Sequence, residues 1–245
     1  MISTDGVGTA INEYTDLGLA RKSSGFSEQP RSQRKQIWQR PVTWWIVGLN
    51  VFWFAIIEIP HGLGVQGIVQ AGGLDWPSVA MGQWYRIISA MFVHMSLTHI
   101  AVNMISLISL SVMEPLLGSA AFSVTYLVSG VSGNLFMLWT GPVNAVSGGA
   151  SGAIFGIFGA ALALSIQGIL TKSTRNQLIA VLVLNLVFDM LDPAIALAAH
   201  LGGLAAGMIL GWLFGLTSRG RRMRNWAVLC WAVTLSGLVW ALFAA

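Results

Sequence analysis

From residue 42 onward the chain is a succession of long apolar runs separated by short polar punctuation. Runs near 42–60, 97–115, 120–139, 149–168, 177–192, 195–216 and 226–244 are each close to the ~20 residues an α-helix needs to cross hydrocarbon. None alternates in the manner of a barrel strand, so the pattern predicts an all-α polytopic membrane protein of seven spans. Residues 1–40 hold no apolar core and end in Arg31, Arg34, Lys35 and Arg40; they read as a disordered tail rather than a cleaved signal peptide. The stretch from His61 to His94 mixes glycine with Val65, Ile68, Val69, Leu74, Trp76, Val79, Met81, Trp84 and Tyr85, a composition suited to the outer interface.

Two spans carry small residues at helical spacing. Gly148, Gly152 and Gly156 recur in the fourth, and Gly203, Gly207, Gly211 and Gly215 in the sixth. Such stripes let helix backbones approach closely, so spans 4 and 6 are expected to pack face to face. The two halves of the chain share no repeat, which removes the usual signature of a secondary transporter.

Polar side chains inside the bilayer are costly and mark function by default. Ser151 lies near the start of span 4, His200 about a turn and a half into span 6, and His99 with Asn103 in the first turns of span 2, all at similar depth. His200, Gly203, Gly207 and Gly211 are spaced so that the imidazole shares the small-residue face. If the stripes pack, serine and imidazole come within hydrogen-bond reach, which supplies a nucleophile and its general base. His99 and Asn103, one helical turn apart, can aim donors at a single spot, as acyl transfer requires. The backbone N–H of Ser151, at a helix start whose first amides lack partners, is a further donor. His94, Ser96, Thr98, Asn144 and Ser147 extend this polar surface outward. Asp189 and Asp192 are the acids read near that depth; they are expected to cap or solvate helix ends and not to serve catalysis.

Composition and charge narrow the class. Apolar residues form 55% and charged residues 9% of the 245 positions, which excludes a soluble domain. A net charge of +4 could suggest nucleic acid, but the basic residues follow topology: of 13, only Arg86 falls on the outer side when the N-terminus is cytoplasmic. Lys172 and Arg175 lie in the 4–5 loop, and Arg219, Arg221, Arg222 and Arg224 in the 6–7 loop. No nucleic-acid partner is expected. Cys230 is the single cysteine, so no intrachain disulfide forms.

Between Gly82 and Gly215 the motifs resemble the rhomboid family of intramembrane serine proteases. Gly82-Gln83-Trp84-Tyr85-Arg86 is similar to the family's W-R element, and His94, His99 and Asn103 to its H-x4-H-x3-N signature. Glu114 with Leu117-Gly118-Ser119 resembles its E-x-x-x-G-S turn. Gly149-Ala150-Ser151-Gly152 is similar to its active-site helix, and Ala199-His200-Leu201-Gly202-Gly203 to its histidine helix.

The resemblance implies a six-helix core over 41–218, with a basic loop and additional C-terminal helix over 219–245. It implies a Ser151–His200 dyad without an acid, with His99, Asn103 and the Ser151 amide at the oxyanion. His94, Phe155 and Gly149 would support the site, Phe155 by packing on the imidazole, and Trp84, Arg86 and Glu114 would be structural. No metal or cofactor is implied. The partners would be transmembrane protein substrates, cut near the outer boundary, and the bilayer itself. The six-plus-one arrangement points to a bacterial plasma (inner) membrane. An inactive client-binding relative and a small-solute transporter are the alternatives; the presence of both Ser151 and His200 tells against the first, and the missing repeat and mid-membrane acids against the second.

Overall fold

The structure, a computed structural model, describes residues 40–191 and 197–218. The run at 226–244, the basic loop before it, Cys230, the segment 1–39 and Asp192 lie outside the described residues, as does the side chain of Asp189.

Helix α1 (Pro41–Trp53) continues through a π-helical turn (Phe54–Glu58) into α2 (Ile59–His61). Pro41 opens α1, where its missing N–H would have been unpaired in any case. The remaining amides of that first turn still need acceptors, and buried Glu114 supplies them. Its carboxylate accepts from Val42 N at 3.0 Å, Thr43 N at 2.9 Å and Thr43 Oγ1 at 2.7 Å. It also accepts from Ser119 Oγ at 2.8 Å, so one buried acid ties the start of α1 to the turn at Gly118, whose φ of +79° suits glycine.

The interfacial stretch folds into short pieces: α3 (Val65–Gln70), β1 (Leu74–Asp75), α4 (Trp76–Ala80), α5 (Arg86–Ser89) and a 3₁₀ turn (Ala90–Phe92). Arg86 is buried and organises them. Its guanidinium donates to the carbonyls of Val69 (2.6 Å) and Gly73 (2.7 Å) and to Gln83 Oε1 (2.7 Å), and lies 3.7 Å from Asp75 Oδ2. These contacts tie the C-terminal end of α3 and the loop carbonyl of Gly73 to the start of α5. Trp84, the other half of that motif, is 37% exposed and lies outside the core.

After the 3₁₀ turn the chain bends by 90° into α6 (Leu97–Leu110), capped by Ser96 Oγ accepting from His99 N at 3.0 Å. The expected span 97–115 is therefore broken: a turn at Ser111–Val112 leads into α7 (Met113–Leu117). Next come α8 (Ser119–Thr140), β2 (Val146–Ser147), α9 (Ser151–Ile166), α10 (Lys172–Leu191) and α11 (Leu197–Ser218). Pro41–His61, Ser119–Thr140 and Leu197–Leu216 are each long and apolar enough to cross a bilayer, and the described residues form a predominantly helical bundle.

Helix α9 is the centre of the bundle, buried along most of its length and packed against α6, α8, α10 and α11. It is shorter than the expected 149–168: residues 146 and 147 pair in a small antiparallel ladder with β1 (Leu74 opposite Ser147, Asp75 opposite Val146), and Gly149 at φ +137° is non-helical, so the helix starts at Ser151.

Candidate active site

The α9–α11 contact is made of backbone. An added Cβ at Gly203 would run into the carbonyl of Gly152, one at Gly207 into that of Gly156, and one at Gly159 into that of Leu204. The expected face-to-face packing of the two stripes is present, with one correction. Gly148 precedes the helix and lies against Val93, 2.9 Å from its carbonyl oxygen on the same construction, so Gly159 rather than Gly148 extends the stripe.

This approach brings Ser151 Oγ and His200 Nε2 to 2.7 Å. His200 is buried, and its ring stacks on Phe155 with centroids 4.2 Å apart and planes within 5°. Phe155 in turn meets Phe158 edge-on at 5.9 Å. An aromatic plate one turn beyond the serine thus restricts the plane of the imidazole, in which Nε2 meets the hydroxyl.

The second half of the site comes from α6. Gly149, at φ +137°, occupies a backbone conformation that side chains avoid. A Cβ there would lie 2.9 Å from His99 Nε2 and 3.5 Å from Asn103 Nδ2. The two α6 side chains therefore converge on the space beside Gly149, two residues before the nucleophile candidate. Asn103 Nδ2 is buried with no hydrogen-bond partner among the described residues, so it is a donor with capacity to spare for a group entering that space. Gly149 N donates to Ala90 O at 2.8 Å, which fixes this loop against the 3₁₀ turn. His94 is fully buried, its ring edge-on to that of His99 at 5.2 Å. Ser151, His200, His99, Asn103, His94, Phe155 and Gly149 are thus gathered into one cluster. Arg86 and Glu114 stand apart from it, in the interfacial loop and beside the 118–119 turn.

The family model for the Rhomboid domain matches residues 81–217, the stretch that contains every member of this cluster. The chain belongs to the rhomboid family. It is 30% identical over 182 residues to the rhomboid protease GluP of Bacillus subtilis, covering 73% of this chain but 36% of that protein. It is 33% identical over 176 residues to YdcA of the same species, covering 71% of this chain and 88% of YdcA. RHOMBOID-like protein 5 of Arabidopsis thaliana is 33% identical over 158 residues, 62% of this chain and 51% of the relative. The chain thus spans about a third to nine-tenths of these rhomboids.

Two features escaped sequence reading. Ser106 on α6 and Asn185 on α10 are buried and exchange hydrogen bonds, Asn185 Nδ2 to Ser106 Oγ at 2.7 Å and Ser106 Oγ to Asn185 Oδ1 at 3.1 Å. Glu58 is fully buried in the first span and accepts from His94 N at 2.6 Å. The reading of Asp189 and Asp192 as the acids of that depth is therefore incomplete: a glutamate inside the run 42–60 reaches the same cluster. Its signal was present, since an acid within an apolar span has to have a partner, but the partner's identity was not.

Proposed function

We propose that this rhomboid is an intramembrane serine endopeptidase that cuts transmembrane segments of other membrane proteins near their outer boundary, with the N-terminus of the chain cytoplasmic. The observation that carries the reading is the 2.7 Å contact between Ser151 Oγ and His200 Nε2, made by an imidazole already stacked on Phe155. Serine is a weak nucleophile until a neighbouring base takes its proton. His200 Nε2 accepts that proton as Oγ attacks the scissile carbonyl carbon. Negative charge then collects on the carbonyl oxygen, in the space beside Gly149 toward which His99 and Asn103 point, with the Ser151 amide as third donor. When the tetrahedral intermediate collapses, the imidazolium returns the proton to the leaving amine. Water then takes the place of the amine and hydrolyses the acyl-enzyme by the same route in reverse.

Gly149 has a chemical purpose in this scheme: any side chain would fill the place of the oxyanion. Arg86 and Glu114 act at a distance, by holding the loop and the 118–119 turn that frame the bundle. The N-in orientation rests on the basic bias of the cytoplasmic segments, and relatives in Bacillus subtilis favour a bacterial plasma membrane.

The test is proteolysis of tagged single-span substrates in liposomes. Ser151→Ala and His200→Ala are each expected to abolish cleavage while leaving inserted, monodisperse protein, and the double variant to be no worse, because residues acting as one unit fail together. A fluorophosphonate probe should label wild type at Ser151 and not the alanine variant. Cleavage retained by purified Ser151→Ala would return the serine to a packing role and leave a client-binding or transport function to be sought.

A further inference from the structure

We propose that Glu58 is a positioning residue for the oxyanion side of the site, holding the His94 backbone so that the His94 ring braces His99; the inference rests on the protease reading above. The 93–96 segment joins two helices that meet at 90°. Its backbone at Val93 is extended (φ −90°, ψ 134°), and Val93 and His94 are both fully buried. An amide at such a place has neither a helical acceptor nor water, and leaving it unpaired is costly. Glu58 Oε2 accepts from the His94 amide at 2.6 Å and so satisfies it. The anchor comes from another span, 36 positions away in sequence, and so ties α1 to the start of α6.

The π-helical turn Phe54–Glu58 makes this contact possible. Each residue of an α-helix advances the side chain by about 100°, and the wider turn shifts that phase just before Glu58. Turns of this kind recur at functional sites. Here the turn sends an acid inward from an otherwise apolar span. From the anchored amide the path to the site is short. The His94 ring lies within 3.1 Å of Phe92 O through Nδ1, and its centroid is 5.2 Å edge-on from that of His99. His99 Nε2 in turn faces the space beside Gly149. Releasing the His94 amide would let this histidine pair drift, and His99 would lose its aim before the dyad itself was disturbed.

The experiment compares Glu58→Gln, which keeps an acceptor of the same shape, with Glu58→Leu, which removes it, in the full chain reconstituted in liposomes. Glu58→Gln should retain most of the wild-type kcat. Glu58→Leu should lose at least tenfold in kcat with KM near wild type, and should add nothing to the loss in a His99→Ala background. A purely structural role would instead lower Tm and leave kcat per folded molecule unchanged, whereas a further tenfold loss on top of His99→Ala would show that Glu58 acts independently of His99; either result overturns the proposal. Hydrogen exchange of the 93–96 amides, read without substrate, should quicken in Glu58→Leu and not in Glu58→Gln. Unchanged exchange would refute the anchor whatever the activity. Cleavage surviving in Ser151→Ala would refute the protease reading while leaving the exchange result to decide the anchor.

Discussion

Around Ser151 and His200 the helices α9 and α11 meet backbone on backbone, glycine against carbonyl at Gly203 and Gly207. Around His99 and Asn103 the chain is instead held by polar side chains: Glu58 reaches in from the first span to the His94 amide, Asn185 from α10 to Ser106, and Ser96 caps the start of α6 locally. The difference follows from what each half has to fix. Two regular helices have already satisfied their own backbone polar groups, so removing side chains is enough to bring them together. An irregular bend buried among apolar residues has amides with no partner, and only a long-range acceptor can hold it. The Ser151–His200 contact thus depends on the absence of volume, and the His99–Asn103 half on the presence of specific atoms.

The comparison breaks most completely at Gly207. A side chain there meets the Gly156 backbone, which cannot yield as a flexible side chain can. Overpacking of even an ordinary core costs ~1–3 kcal/mol, and a leucine at this backbone contact should exceed that. Gly207→Leu is expected to give no monodisperse folded protein and no labelling at Ser151. Gly215→Ala is the matched control at the far end of the same stripe. The atoms nearest to an added Cβ there belong to the end of the Gln167 side chain, which can swing aside, so Tm should stay within about 3 °C of wild type. Equal tolerance at both positions, seen by size exclusion and thermal melts, would mean that the stripe is not what sets the dyad distance.

Asn103 probes the other half with a smaller effect of a different kind. Its Nδ2 donates to nothing among the described residues, so Asn103→Ala breaks no Nδ2 hydrogen bond of the resting fold and should leave Tm nearly unchanged. An oxyanion donor is felt in the transition state alone, and losing one costs roughly a hundredfold to a thousandfold in rate. The expected outcome is a fall in kcat toward that range with KM preserved, softened where His99 and the Ser151 amide compensate. A lowered Tm with an unchanged rate per folded molecule would make Asn103 a packing residue.

This division also explains what could be read from the chain alone. The glycine stripes, Ser151, His200 and the His99–Asn103 pair are periodic or local patterns, and helical spacing converts them directly into shared faces. Helix ends were less legible. Apolar residues continue past Ser111, so the pattern extends span 2 to residue 115 although α6 ends at Leu110, and nothing in 146–150 announces the two-residue ladder with Leu74 and Asp75 that precedes α9. The long-range polar pairs were invisible as pairs. Glu58, Ser106 and Asn185 are visible as polar residues in apolar runs, but periodicity carries no information about a partner 36 or 79 positions away.

Ser106 and Asn185 offer the smallest and most discriminating test, because here a polar tie joins two otherwise regular helices, α6 and α10. Removing one partner strands the other in an apolar interior, at a penalty of ~1–3 kcal/mol. Replacing both with apolar residues strands neither. Interhelical hydrogen bonds in bilayers average only ~0.6 kcal/mol, because the separated helices also find partners. Asn185→Leu alone should therefore lower stability by about 1 kcal/mol, and Ser106→Ala by less, since Asn185 Nδ2 keeps the Val181 carbonyl at 2.8 Å. The double variant should recover part of the sum, giving a coupling energy on the order of 0.5–1 kcal/mol in a double-mutant cycle of unfolding free energies. Additive losses would show that each residue serves its own helix. The polar mode of assembly would then be confined to the irregular bend, where the His94 amide has no other acceptor among the described residues.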